Sequence, residues 1–289
     1  MDTAHLIKLA LTASILLLVC ALGLRARISD ATSLFREFLQ PPNRLLRALF
    51  AMYIIVPLVA IVVAKLFDLS LPVRAAILAM AVAPIPPILP GKQLKFGGSS
   101  DYVFGLLVAV SIAALVMVPL GVSVLGRLFG AEATFGPDEV AKLIGTTILL
   151  PLAAGLTVRH LAPAAAQRLA PWASRLGNVL LLVVLVPVLI KAWPAVIALV
   201  GNGAILAIGA VVAAAIFAGH ALGGADADDR STLAIASAMR HPGVALAIAT
   251  LNVPEEPRIP AAIILYVLVA ALATTIYGAV RRKQLARSG

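Results

Sequence analysis

Runs of 18 or more predominantly apolar residues recur from one end of this chain to the other. That is the length an α-helix needs to cross the hydrocarbon core of a bilayer. The 289 residues are 62% apolar and 12% charged, with a mean hydropathy of +1.05, far outside the range of soluble domains. Nine spans can be marked, at 6–24, 46–67, 71–91, 101–127, 138–159, 174–195, 203–222, 229–251 and 259–280. No polar stretch between them is long enough to build a soluble domain. The expected fold is an all-α polytopic membrane protein of about nine helices, one integral domain over residues 1–289.

The net charge of +10 invites a nucleic-acid reading, but in a chain of this kind it reflects basic loops. With the N-terminus outside and the C-terminus cytoplasmic, 15 of the 23 Lys and Arg residues fall on inner loops, seven fall outside, and Arg240 lies within a span. The expected setting is therefore a plasma membrane, with the bilayer as partner and no nucleic acid. The first apolar run, Leu6 to Leu24, lacks the basic flank and small-residue cleavage site of a signal peptide, so it is read as a membrane helix. Cys20, the only cysteine, offers neither a disulfide nor a metal cluster. Between the first two spans, Ile28 to Leu39 has an amphipathic pattern ending at Pro41-Pro42 and is expected to lie along the interface. Asp226, Asp228 and Asp229 open the eighth span and read as a solvated helix cap rather than a metal site.

Two spans are interrupted. The third carries Pro84, Pro86, Pro87 and Pro90 followed by Gly91, which no regular helix accommodates. The eighth carries Arg240-His241-Pro242-Gly243 in the middle of an apolar run. A charge at that depth costs from ~3 to ~10 kcal/mol, and irregular backbone is tolerated there only when protein or water covers it. Paired broken helices point to an inverted-repeat transporter, with substrate bound where the breaks meet. The expected repeats are 1–130 and 138–284. Single prolines at 119, 151 and 187 are read as kinks.

Several segments carry a resemblance to the bile acid:sodium symporter family over nearly the whole chain. They are Phe35 to Leu39 with Gln40-Pro41, then Phe67-Asp68-Leu69-Ser70-Leu71-Pro72, and Met239-Arg240-His241-Pro242-Gly243-Val244-Ala245. The resemblance implies a core of crossed, broken helices moving against a panel domain, and a small organic anion as substrate. Ten helices are usual in bacterial members, and nine would leave out the first. Family sodium sites use a glutamate and a glutamine four residues apart in the second broken helix, and a Ser-Asn pair after the first break. Here those positions hold Ala236 and Arg240, and the first break is followed by Gly91-Lys92-Gln93-Leu94. No Asp or Glu falls inside the apolar body of any span, so coupling to Na⁺ is not expected, and neither is a bound metal or cofactor.

Substrate contacts are expected at Arg240, His241, Gln93, Gly91, Ser111 and Asn178. Arg240 has three readings: it binds an anionic substrate, it fills the vacated sodium site as a built-in cation, or it snorkels to an interface. His241 is either a proton carrier or a hydrogen-bonded packing residue beside a break. Ser111 aligns with a family ligand hydroxyl, or else bonds its own helix carbonyl. Asn178 reaches the substrate or makes a helix–helix hydrogen bond. An enzyme is disfavoured, because no paired carboxylates, metal-ligand set or Ser–Lys dyad lies at membrane depth. A sodium-dependent symporter with other ligands, or a channel or sensor on the same scaffold, are the alternatives.

Overall fold

In a computed structural model describing residues 3–37, 43–130 and 133–288, the described residues form helices and connecting loops, without strands. The helices are α1 (Thr3–Gly23), α2 (Ile28–Ala31), α3 (Ser33–Arg36), α4 (Arg44–Leu66), α5 (Leu71–Val82), α6 (Leu89–Lys95), α7 (Ser100–Leu128) and α8 (Pro137–Leu161). They continue with α9 (Pro163–Ala198), α10 (Ala204–Leu222), α11 (Ala227–Ala238), α12 (Pro242–Asn252) and α13 (Ile259–Ser288). Among the described residues, seven segments are long and apolar enough to cross a bilayer: α4, α7, α8, α9, α10, the α11–α12 pair and α13. With α1 and the α5–α6 pair, they correspond to the nine expected spans.

Both expected interruptions are present, and both are tighter than expected. Backbone between α5 and α6 leaves helical geometry from Ala83 to Ile88, and between α11 and α12 from Met239 to His241. Pro90 and Gly91, expected in the first break, belong to the first turn of α6, and Pro242 and Gly243 belong to that of α12. A proline at a helix start has no N–H to leave unsatisfied, and its fixed φ already suits the helix. The break is made by the residues before it.

A second difference concerns residues 160–173, expected as a loop. α9 begins at Pro163 and runs 36 residues, a length of roughly 54 Å. Alanine-rich sequence with a proline at its start favours helix strongly enough to carry it past the bilayer. The expected interfacial stretch is two single-turn helices, α2 and α3, that pack on α7, where the Ser33 hydroxyl donates to the Asp101 carbonyl at 2.7 Å. Its end, Phe38 to Pro42, lies outside the described residues.

Packing separates the bundle into two groups. Helix α1 packs chiefly on α9 and α8. A Cβ on Gly155 of α8 would collide with the Cys20 carbonyl and come within 2.8 Å of the Gly23 Cα, so the α1–α8 crossing depends on backbones touching. The second group holds α4, α5, α10, α11, α12 and α13, with α5 packed against α12 and α13, and α10 against α11. Helix α9 is the least buried, and its outer leucines and valines supply the apolar face that a bilayer requires.

Candidate functional site: the helix crossing and the cationic cavity

The two breaks meet. The His241 backbone N–H donates to the Pro84 carbonyl at 2.8 Å, joining the middle of one interrupted helix to the middle of the other. Arg240, 1% exposed, extends its side chain away from lipid and into the protein. Its Nη2 donates to the Ala81 carbonyl at 2.5 Å and to the Met52 carbonyl. The guanidinium carbon lies 5.7 Å from the centre of the Tyr53 ring, within cation–π range.

Local sequence explains why these carbonyls are available. In α4 a π-helical turn spans Ala51–Ile55, and the Val56 N–H reaches back to the Ala51 carbonyl. The donor that would next serve Met52 belongs to Pro57, which has no N–H. Ala81 lies in the last turn of α5, where helix carbonyls lack intrahelical partners. The guanidinium thus satisfies two backbone acceptors released by proline-containing segments. Leaving either one buried and unpaired would cost on the order of 1–3 kcal/mol.

His241 is used locally. Its Nδ1 accepts from the backbone N–H groups of Gly243 (3.2 Å) and Val244 (3.4 Å), capping α12. A nitrogen that accepts two N–H groups carries no proton, so this arrangement holds the ring neutral. Among the described residues, Arg240 Nε and Nη1, His241 Nε2 and the hydroxyls of Ser111, Ser237 and Tyr266 are buried without a hydrogen-bond partner. For Ser111, this sets aside the expected bond to its own helix.

A cavity of about 680 Å³ lies elsewhere, between α1, α6 and α9. It is bounded by Leu18, Leu22 and Arg25, by Gly91, Lys92 and Lys95, and by Ser174, Asn178 and Leu181. Three cationic side chains face it, and none of its described lining residues is acidic. Arg25 donates to the Ser174 hydroxyl at 3.0 Å, joining two of its lining residues. Lys92 Nζ is held by the Thr274 hydroxyl at 2.7 Å, the Thr275 hydroxyl at 3.1 Å and the Ala271 carbonyl at 3.3 Å.

Of the residues singled out from sequence, Gly91 and Asn178 line this cavity, while Arg240 and His241 sit at the crossing. Gln93 does neither: it is 2% exposed and its Nε2 donates to the Thr232 carbonyl at 2.9 Å, tying α6 to α11. Ser111 is buried within α7. Sequence reasoning missed Arg25, Lys92, Lys95 and Ser174, which it counted as ordinary loop residues or passed over. The available signal was Lys92 and Lys95, one turn apart and directly after the proline-rich break. Asp226 behaves as the cap it was read to be, accepting from the Asp228 and Asp229 N–H groups at 2.7 and 3.1 Å. Asp229 in turn pairs with Arg44 at 3.0 Å, as do Glu37 at 2.7 Å and Asp101 at 3.3 Å.

Membrane-length helices, two interrupted helices that cross, and a charged cavity beside them define a polytopic membrane transporter scaffold. The sequence model of the Sodium Bile acid symporter family matches residues 12–199, from α1 to the end of α9. The chain belongs to that family, whose members are transporters. No curated protein matches the chain. The match ends before the second break, so the reading of Arg240 rests on geometry.

Proposed function

We propose that the protein is a secondary transporter of small organic anions that works by alternating access and without coupling to Na⁺. The observation that carries the anion is the 680 Å³ cavity lined by Arg25, Lys92 and Lys95 with no described acidic side chain. Charges of one sign in a low-dielectric cleft raise the local concentration of the opposite ion. The aliphatic walls from Leu18, Leu22 and Leu181 suit the organic part of such a substrate. Because Arg25, Lys92 and Lys95 are among the residues that the charge bias assigns to the cytoplasm, the cavity is proposed to open inward in a plasma membrane. The N-terminus would then be outside, and the two repeats, 1–130 and 138–284, would each contribute one broken helix.

Arg240 supports the absence of Na⁺ coupling. Its guanidinium already uses the Ala81 carbonyl released at the crossing and the Met52 carbonyl released by the π turn of α4. A second cation about 5 Å away would be opposed by ~3 kcal/mol at an effective dielectric near 20, over a hundredfold in affinity. The test is initial uptake of labelled organic anions into proteoliposomes, against Na⁺ concentration at constant ionic strength and pH. Saturable uptake that is equal in Na⁺, K⁺ and choline supports the reading. A rise specific to Na⁺ returns the protein to sodium symport, and no uptake of any anion in either gradient favours a sensor or channel.

A further inference from the structure

A second cation, the half-buried Lys92, has a setting that neither its family nor the anion reading requires. Lys92 sits on α6, immediately after the first break, and its ammonium reaches α13. There it meets three oxygens, those of the Thr274 and Thr275 hydroxyls and the Ala271 carbonyl, and lies 3.8 Å from the Met239 sulfur at the second break. The two hydroxyls are committed as acceptors. Thr274 donates its proton to the Ala270 carbonyl at 2.6 Å, and Thr275 donates to the Ala271 carbonyl at 2.6 Å. Both therefore turn lone pairs towards Nζ. An ammonium has three protons and no acceptor, and three oxygens satisfy it completely. Among the described residues, no ion pair involves Lys92.

We propose that Ala271, Thr274 and Thr275 form a monovalent-cation site on α13, and that the Lys92 ammonium is its built-in occupant, fastening α13 to both breaks. Helix α13 supplies neutral oxygens of the kind that bind small cations, and the chain fills the place with a tethered charge. Lys92 is a positioning residue in this role. The oxygen cluster exists whether or not the cavity transports an anion. Only the second consequence of the charge, its contribution to drawing an anion to the cavity it borders, rests on the function proposed above.

The experiment uses Lys92→Ala, which removes the atoms of n-propylammonium from Cγ to Nζ and leaves the three oxygens in place. Thermal unfolding of the purified full-length chain is followed against n-propylammonium chloride, with tetramethylammonium chloride holding ionic strength constant. The expected result is a lower Tm for Lys92→Ala than for wild type, with a saturable, n-propylammonium-specific recovery that wild type does not show. Lys92→Ala with Thr274→Val should lose that recovery, because one of the three oxygens is gone. A folded Lys92→Ala protein whose Tm responds identically to both ammonium salts overturns the site, as does a recovery that survives the Thr274→Val change. If Lys92→Ala does not fold, Thr274→Val alone is compared with wild type. An unchanged Tm then overturns the proposal, and a lowered Tm that Thr274→Ser restores upholds it. Since the readout is binding and stability, it stands or falls separately from uptake.

Discussion

The His241 N–H and the Pro84 carbonyl, 2.8 Å apart, are the one backbone–backbone hydrogen bond by which the two interrupted helices grip each other among the described residues. Each partner is freed by its own break: Pro84 follows the last turn of α5, and His241 precedes the first turn of α12. Next to this bond, Arg240 repeats the connection with its side chain, through Ala81. The crossing is thus closed by groups that regular helices would have paired internally.

Arg240→Gln should destabilise the protein and lower uptake strongly. Glutamine is shorter and cannot serve both the Met52 and Ala81 carbonyls, and each orphaned acceptor costs on the order of 1–3 kcal/mol. Removing the fixed charge should also allow Na⁺ to approach, so residual uptake should rise with Na⁺. Tm and uptake measured across a Na⁺ series check both parts. Wild-type stability and Na⁺-independent uptake in the variant would refute the role.

His241→Asn should leave the protein nearly as stable as wild type, while His241→Ala should lose about 1 kcal/mol, because asparagine retains a side-chain acceptor at the N-cap and alanine does not. The pH profile of uptake should be the same in His241→Asn as in wild type, since the capping ring is held neutral. A flattened pH dependence, or loss of accumulation driven by a proton gradient, would instead make His241 a proton carrier.

Arg25→Ala and Lys95→Ala should each raise the KM for an anionic substrate severalfold with little change in maximal rate. Charges at a partly solvated mouth act mainly on encounter and binding. The difference from wild type should shrink as ionic strength rises. Arg282→Ala, exposed near the end of α13 and outside the cavity, serves as the comparison and should behave as wild type.

Gly155→Ala should lower the Tm more than a typical surface change, because its new Cβ would collide with the Cys20 carbonyl where α8 crosses α1. Gly145→Ala, where a Cβ meets no atom within 4 Å, should be tolerated. Parallel thermal unfolding of the two variants gives the comparison.

Much of this architecture is legible along the chain, because the signals are local. Apolar length specifies the spans, and prolines 84, 86 and 87 forbid a continuous third helix. Asp226 announces the start of α11, since a short acceptor before a helix has one economical use. The cost of a guanidinium in lipid also forces Arg240 inward. What the sequence does not contain is which carbonyls receive it. Met52 lies 188 residues earlier, and its carbonyl is open only because a π turn and Pro57 coincide there. The cavity is likewise a product of packing. Arg25, Lys92 and Lys95 look like any basic loop residues until α1, α6 and α9 surround one space. Periodicity and propensity govern each helix separately, whereas the site depends on distances between elements far apart in sequence, and those are set only when the helices pack.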